Sequence, residues 1–96
     1  MLPPSYSSEA EADLVDLSVF GTLTYGLAHT DAYVAKLRQA VHLHAENPFA
    51  AAERHEIRPP IRMFRHGAHH VFYDVIAGAV VVQRILHHSV DWGDAF

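Results

Sequence analysis

The last third of the chain, from Glu56 to Asp91, carries three apolar runs set apart by turn residues. Ile61 to Arg65 ends at His66-Gly67, His69 to Ile76 ends at Ala77-Gly78, and Ala79 to Leu86 follows. Val, Ile, Phe and Tyr dominate the runs, and the breaks are short and contain Gly. The pattern predicts two β-hairpins in a three-stranded antiparallel meander, with strands near 61–66, 69–76 and 79–87. Upstream the period lengthens. Ser8-Glu9-Ala10-Glu11 fits a capping box, with Ser8 as N-cap and Glu11 at N3. Ala10, Leu14, Leu17 and Leu23 recur at helical spacing, and Val15, Val19 and Phe20 widen the stripe. A first helix is expected over 8–25, closed by Gly26. A second, over 28–46, sets Tyr33, Leu37, Ala40, Val41 and His44 on one side. It stops at Asn47-Pro48, because a residue before Pro avoids the α region. The link is only a few residues long, so the helices form an antiparallel hairpin. Residues 2–6 are extended, and Pro3 and Pro4 confine any strand there to an edge. The layout is α+β: an N-terminal strand and a helical hairpin packed on an antiparallel β-meander.

The last two strands are apolar at nearly every position. Strands wetted on one face alternate, whereas strands covered on both faces do not. Two helices cover only one face of the sheet, so either the chain's own ends or a partner must cover part of the other. Asp74 suggests that His70, Phe72 and Asp74 face away from the helices and Val71, Tyr73 and Val75 toward them. On the last strand both registers remain open.

Composition narrows the function. The 96 residues make one domain, 1–96, and half of them are apolar, which suits a packed core. No apolar run approaches the ~20 residues of a membrane span, and the N-terminus shows no signal-peptide pattern. There are no cysteines, which removes disulfides and thiolate metal sites and suits a reducing cytoplasm. With seven Lys and Arg and a formal net charge of −4, direct nucleic-acid binding is disfavoured.

The nine histidines do not fall at metal-ligand spacing. His42 and His44 are two apart on a helix, and His69-His70 and His87-His88 split between strand faces. No metal or cofactor is expected. A ribonuclease would need an acid/base group and cations for the developing phosphorane charge. Arg62, Arg65, Arg84 and His87 all fall on the meander. The competing reading is structural: Arg62 and Arg84 pair with Asp74, Glu56 or Asp91. That reading is preferred, because no basic surround holds RNA, and no catalytic residue is assigned.

Ordered motifs carry a family resemblance. Ser7-Ser8-Glu9-Ala10-Glu11-Ala12-Asp13-Leu14 resembles an "S-x-x-A-x-x-D-L" helix opening, and Tyr25-Gly26 a break between helices. Ala45-Glu46-Asn47-Pro48 resembles an "xENP" helix exit, and Glu56-Ile57-Arg58-Pro59 an "(E)IRP" lead. Gly67 to Tyr73 resembles "G-x-H-x-x-F-Y", and Arg84-Ile85-Leu86-His87 with Asp91 resembles "R-(I/V)-L-H-x-x-x-D". Together, over residues 6–91, these resemble the ParE branch of the RelE/ParE toxin superfamily, the plasmid-stabilisation toxins of type II toxin–antitoxin systems. Ser8 stands where relatives often carry Pro, and position 68 is Ala rather than a basic or polar residue.

The resemblance implies a β-α-α-β-β-β, RelE/ParE-like fold and a ParD-like antitoxin whose arm wraps the toxin into a hetero-oligomer. It implies inhibition of DNA gyrase without enzymatic chemistry. RelE-type relatives instead cut mRNA on the ribosome and tend to be strongly basic, so the acidic balance leans toward ParE. A non-toxic binding module on the same fold is the third class. The partner-facing residues are expected to be Arg62, Phe64, Phe72, Arg84, Ile85, His87 and Trp92.

Overall fold

The computed structural model describes residues 2–96. Its elements run β1 (Ser5–Tyr6), α1 (Ser8–Tyr25), α2 (Leu27–Glu46), β2 (Glu53–Arg54), β3 (Ile61–His66), β4 (His69–Ile76), β5 (Ala79–His87) and α3 (Trp92–Ala95). The sheet has order β1-β5-β4-β3-β2; β1 lies parallel to β5 and every other pair is antiparallel. The three meander strands and α1 stand where the pattern put them. Two-residue β2 and four-residue α3 are additions, too short for periodicity to announce.

The N-cap of α1 is one residue earlier than the capping box predicts. Ser7 is the N-cap: its Oγ accepts from Ala10 N–H at 3.0 Å and donates to Gln83 O at 2.9 Å. Ala10 is therefore at N3, and the reciprocal Ser8–Glu11 pair does not form. Gly26, at φ 90°, is the whole link between α1 and α2, so the second helix begins at Leu27.

The core has two parts, one on each side of the sheet. Ala10 and Leu14 of α1 and Leu37, Val41 and Ala45 of α2 pack on Val71, Tyr73, Val80, Val82 and Ile85. On the opposite face Ile57, Ile61, Phe72 and Leu86 are covered by Met63, Trp92 and Ala95. The chain thus covers its second sheet face itself, with the 55–60 loop and the C-terminal segment. Val71 and Tyr73 face the helices and Phe72 faces away, as the position of Asp74 suggested.

The open register of β5 is resolved by a bulge. Phe72 pairs with Arg84 but Tyr73 pairs with Val82, so Gln83 is the extra residue. Val80 and Val82 point to the helices before it, and Ile85 does so after it. A strand that changes parity midway can be apolar at nearly every position.

Candidate functional site

The meander arginines are held in place by local partners. Arg84 Nε and Nη2 donate to Asp13 Oδ2 and Oδ1 at 2.8 and 3.0 Å, and the Ile85 N–H donates to Asp13 Oδ2 at 2.9 Å. These hydrogen bonds raise the Arg84 pKa further above its ordinary value. Arg62 donates to Glu53 Oε1 at 3.1 Å and to the carbonyls of Phe49 and Ala51 at 3.2 and 2.6 Å. Both ion pairs are structural, as expected, but their acids are Asp13 and Glu53 rather than Asp74, Glu56 or Asp91. Arg65 donates to Gly67 O at 2.9 Å. His87 bonds the Ser89 hydroxyl at 2.7 Å and sits edge-on to His69 with ring centres 5.6 Å apart. Arg62 is opposite Tyr73 near the start of β3, whereas His87 is opposite His69 at the far end of the sheet. No acid/base pair flanked by free cations is assembled from these four residues.

The other expected contact residues are mostly interior. Phe72 and Ile85 are fully or almost fully buried, at 0% and 4% exposure, and have no surface to offer a partner. Phe64 stacks on His44, with ring centres 3.7 Å apart and planes 6° apart. Trp92 meets Phe72 and His70 edge-on and carries the Arg54 guanidinium 5.1 Å above its ring. Arg62, Arg84 and His87 keep partly accessible positions, but they lie apart and do not form one contiguous surface.

A different surface stands out. Val15, Val19, Phe20 and Leu23 of α1 are 61%, 55%, 63% and 83% exposed. Val15, Val19 and Leu23 recur every four residues, so they form one stripe along the helix. The buried line, Ala10, Leu14 and the half-buried Leu17, is on the other side, and Gly21 continues it by fitting against Thr30. Helix α1 is therefore apolar on two opposite faces, and a helix apolar all round is normally covered all round. Helical spacing predicts Val15, Val19, Phe20 and Leu23 in the core stripe, and they stand outside it. The available signal was that Leu23 follows Leu17 by six residues, a step that leaves the face Leu17 occupies.

At the C-terminal end of this stripe lies a cavity of about 390 Å³, lined by Leu17, Phe20, Tyr25, Tyr33 and His69, among others. Burial raises the Tyr33 pKa. Burial, aided by His87, His66, His88 and His70, lowers that of His69 to about 4. Among the described residues no group of three or more His, Cys, Asp or Glu side chains is arranged to hold a metal ion, and no helix is long and apolar enough to cross a membrane.

The family model for "ParE toxin of type II toxin-antitoxin system, parDE" matches residues 5–92. The chain belongs to this family of ParE toxins. It is 29% identical over 91 residues to Toxin ParE1 of Caulobacter vibrioides, covering 95% of this chain and 94% of that one. It is 36% identical over 88 residues to Toxin ParE of Escherichia coli, covering 88% and 84%. Its fold matches a chain from the solved chromosomal ParDE toxin–antitoxin system of P. aeruginosa, with a TM-score of 0.76 at 17% identity over 91% of this chain and 96% of that one. The α+β architecture is thus that of ParE: two helices on a mostly antiparallel five-stranded sheet.

Proposed function

We propose that this ParE toxin works as a single domain, inhibits DNA gyrase by binding rather than by an enzymatic reaction, and is neutralised in the cytoplasm by a ParD-like antitoxin that covers the outer face of α1. The exposed stripe of Val15, Val19 and Leu23, with Phe20 beside it, carries this reading. An exposed apolar helix stripe with Glu11 at its N-terminal end and Asp16 alongside fits an amphipathic arm laid along it. Because the sheet's second face is already covered by Trp92, Ala95 and Ile57, α1 is where a partner gains most from burial. The non-enzymatic part rests on the engagement of Arg62 and Arg84 by Glu53 and Asp13 and on the position of Arg62 far from His87. Of the seven contact positions expected from the sequence, Arg62, Phe64, Arg84, His87 and Trp92 remain candidates for the gyrase side of the molecule.

The test pairs two assays. Supercoiling by purified gyrase is expected to fall when the protein is added and to recover with the product of the adjacent antitoxin gene. Translation on purified ribosomes is expected to proceed without mRNA cuts. Ribosome-dependent cuts that vanish in His87→Ala, with supercoiling untouched, would place the protein with the RelE-type nucleases instead.

A further inference from the structure

The hydroxyl of Tyr33 sits at the junction of α2 and the β3–β4 turn and meets three polar groups. His66 O is 3.0 Å away, the Ala68 N–H donates from 3.1 Å, and His69 Nδ1 is 2.7 Å away. A carbonyl only accepts, an amide N–H only donates, and a tyrosine hydroxyl has one proton and two lone pairs. All three contacts are satisfied together in one arrangement: Tyr33 donates to His66 O and accepts from both Ala68 N–H and His69 Nδ1–H. His69 then carries its proton on Nδ1, and Nε2 is left as a bare acceptor. The ring stays neutral at physiological pH, because burial and the neighbouring histidines hold its pKa near 4.

His69 lines the cavity beside Leu17, Phe20, Tyr25 and Tyr33. Phe20 and Tyr25 stand largely exposed at its mouth. No Asp, Glu, Lys or Arg lines it, so nothing there favours a charged ligand. Its ~390 Å³ suits one ring system. Aromatic walls favour a flat apolar ring in stacked or edge-on contact. The acceptor asks for a donor, and the two common aromatic donors differ. A tyrosine hydroxyl would need a donor for its own lone pairs as well, such as the Thr30 hydroxyl in the same wall, whereas an indole N–H is donor only and asks for nothing beyond the acceptor. Phe20 stands beside the α1 stripe and lines the cavity, so a chain lying along the stripe reaches the cavity at its mouth.

We propose that this cavity takes the indole ring of a tryptophan carried by the bound antitoxin, with the indole N–H donating to His69 Nε2. The choice of carrier rests on the reading that an antitoxin covers α1; the recognition chemistry does not.

The experiment therefore uses a probe and no antitoxin. N-acetyltryptophanamide and its 1-methylindole analogue are titrated into the full chain while long-range ¹H–¹⁵N correlations of the His69 ring are followed. If the free chain associates, Leu23→Lys serves, since Leu23 lines no part of the cavity. The free protein is expected to show the Nδ1–H tautomer. N-acetyltryptophanamide should shift Nε2 and bind about tenfold more tightly than the methylated analogue, the worth of one hydrogen bond to a partly buried acceptor. Tyr33→Phe removes the group that fixes the tautomer and should erase most of that preference. Equal binding of the two probes, no response at Nε2, or a proton on Nε2 in the free protein overturns the proposal. If the probe binds as described but α1 stays uncovered with antitoxin present, the indole site stands and the docking reading falls.

Discussion

Asp13 holds Arg84 through two parallel hydrogen bonds, at 2.8 and 3.0 Å, and the same carboxylate takes the Ile85 N–H. This one side chain joins the N-terminal half of α1 to β5. It also closes an edge. Strand β1 pairs with β5 only at Val81 and Val82. Beyond them Ser7 Oγ occupies Gln83 O and Asp13 occupies Ile85 N–H, so side chains of α1 take up backbone groups that a longer β1 would have paired.

Replacing Asp13 should therefore cost more than an ordinary surface ion pair. Asp13→Ala leaves a guanidinium and a backbone N–H without their acceptor, and a loss of about 2–4 kcal/mol is expected. Arg84→Met leaves only the carboxylate short of partners and keeps its Ile85 bond, so its loss should be smaller. Urea unfolding of both variants checks the order; equal and sub-kilocalorie losses would show that the pair is a solvated one.

The β4–β5 turn contains an avoidable strain. Ala77 and Gly78 both have positive φ, 52° and 82°, as a type I′ turn requires. Gly78 adopts this freely, but Ala77 is a left-handed non-glycine residue. Ala77→Gly or Ala77→Asn should raise stability by roughly 0.5–1 kcal/mol without touching either core. Thermal melts beside the parent chain decide it, and a lower midpoint for both would mean that the turn is not strained.

How much of this was legible depends on how local each determinant is. The β3, β4 and β5 boundaries were readable because Gly67 and Gly78 mark turns between β-branched and aromatic runs. The Gln83 bulge was not, since a run of Val81-Val82-Gln83-Arg84-Ile85 looks the same whichever residue is unpaired. Ser7 and Ser8 are equivalent as N-caps on paper; only the nearness of Gln83 O favours Ser7. The acid of Arg84 is hidden for the same reason, since Asp13 is 71 residues away in sequence, whereas Glu53 meets Arg62 only because the two-residue β2, too short to read, sets it opposite. The exposed face of α1 was hidden by its own apolarity, which reads as core until the hairpin partner shows which side is used.

The His69 ring ties stability to pH. Its folded pKa is about 4 against an ordinary 6.5, so between those values the unfolded chain binds a proton that the folded chain does not. Stability from this group is complete above pH 6.5, falls as pH drops toward 4, and levels off below. Allowing for solvent screening of a half-buried ring, roughly 1–2 kcal/mol is expected across the window. Urea midpoints at pH 7 and pH 4.5 should converge in His69→Gln relative to the parent. An unchanged pH difference would assign the loss to other groups.

The outer face of α1 offers the sharpest separation of folding from binding. Leu23 is 83% exposed and Val19 55%, so neither change, Leu23→Glu nor Val19→Glu, removes much buried area within the chain. Substitutions at such positions usually shift stability by about 0.5 kcal/mol or less. If the antitoxin arm covers this stripe, each introduced carboxylate must be desolvated in the complex, or the arm must lift away from it. Affinity for the antitoxin should then fall by about 10–100-fold, while the free chain becomes less prone to associate. Lys36→Glu, on a helix that does not carry the stripe, controls for charge alone and should leave binding within a few-fold. Binding isotherms and sedentation of the free chain by analytical ultracentrifugation read the two effects separately. Full antitoxin affinity in both α1 variants would move the interface elsewhere, and the five accessible positions Arg62, Phe64, Arg84, His87 and Trp92 would be the next to test.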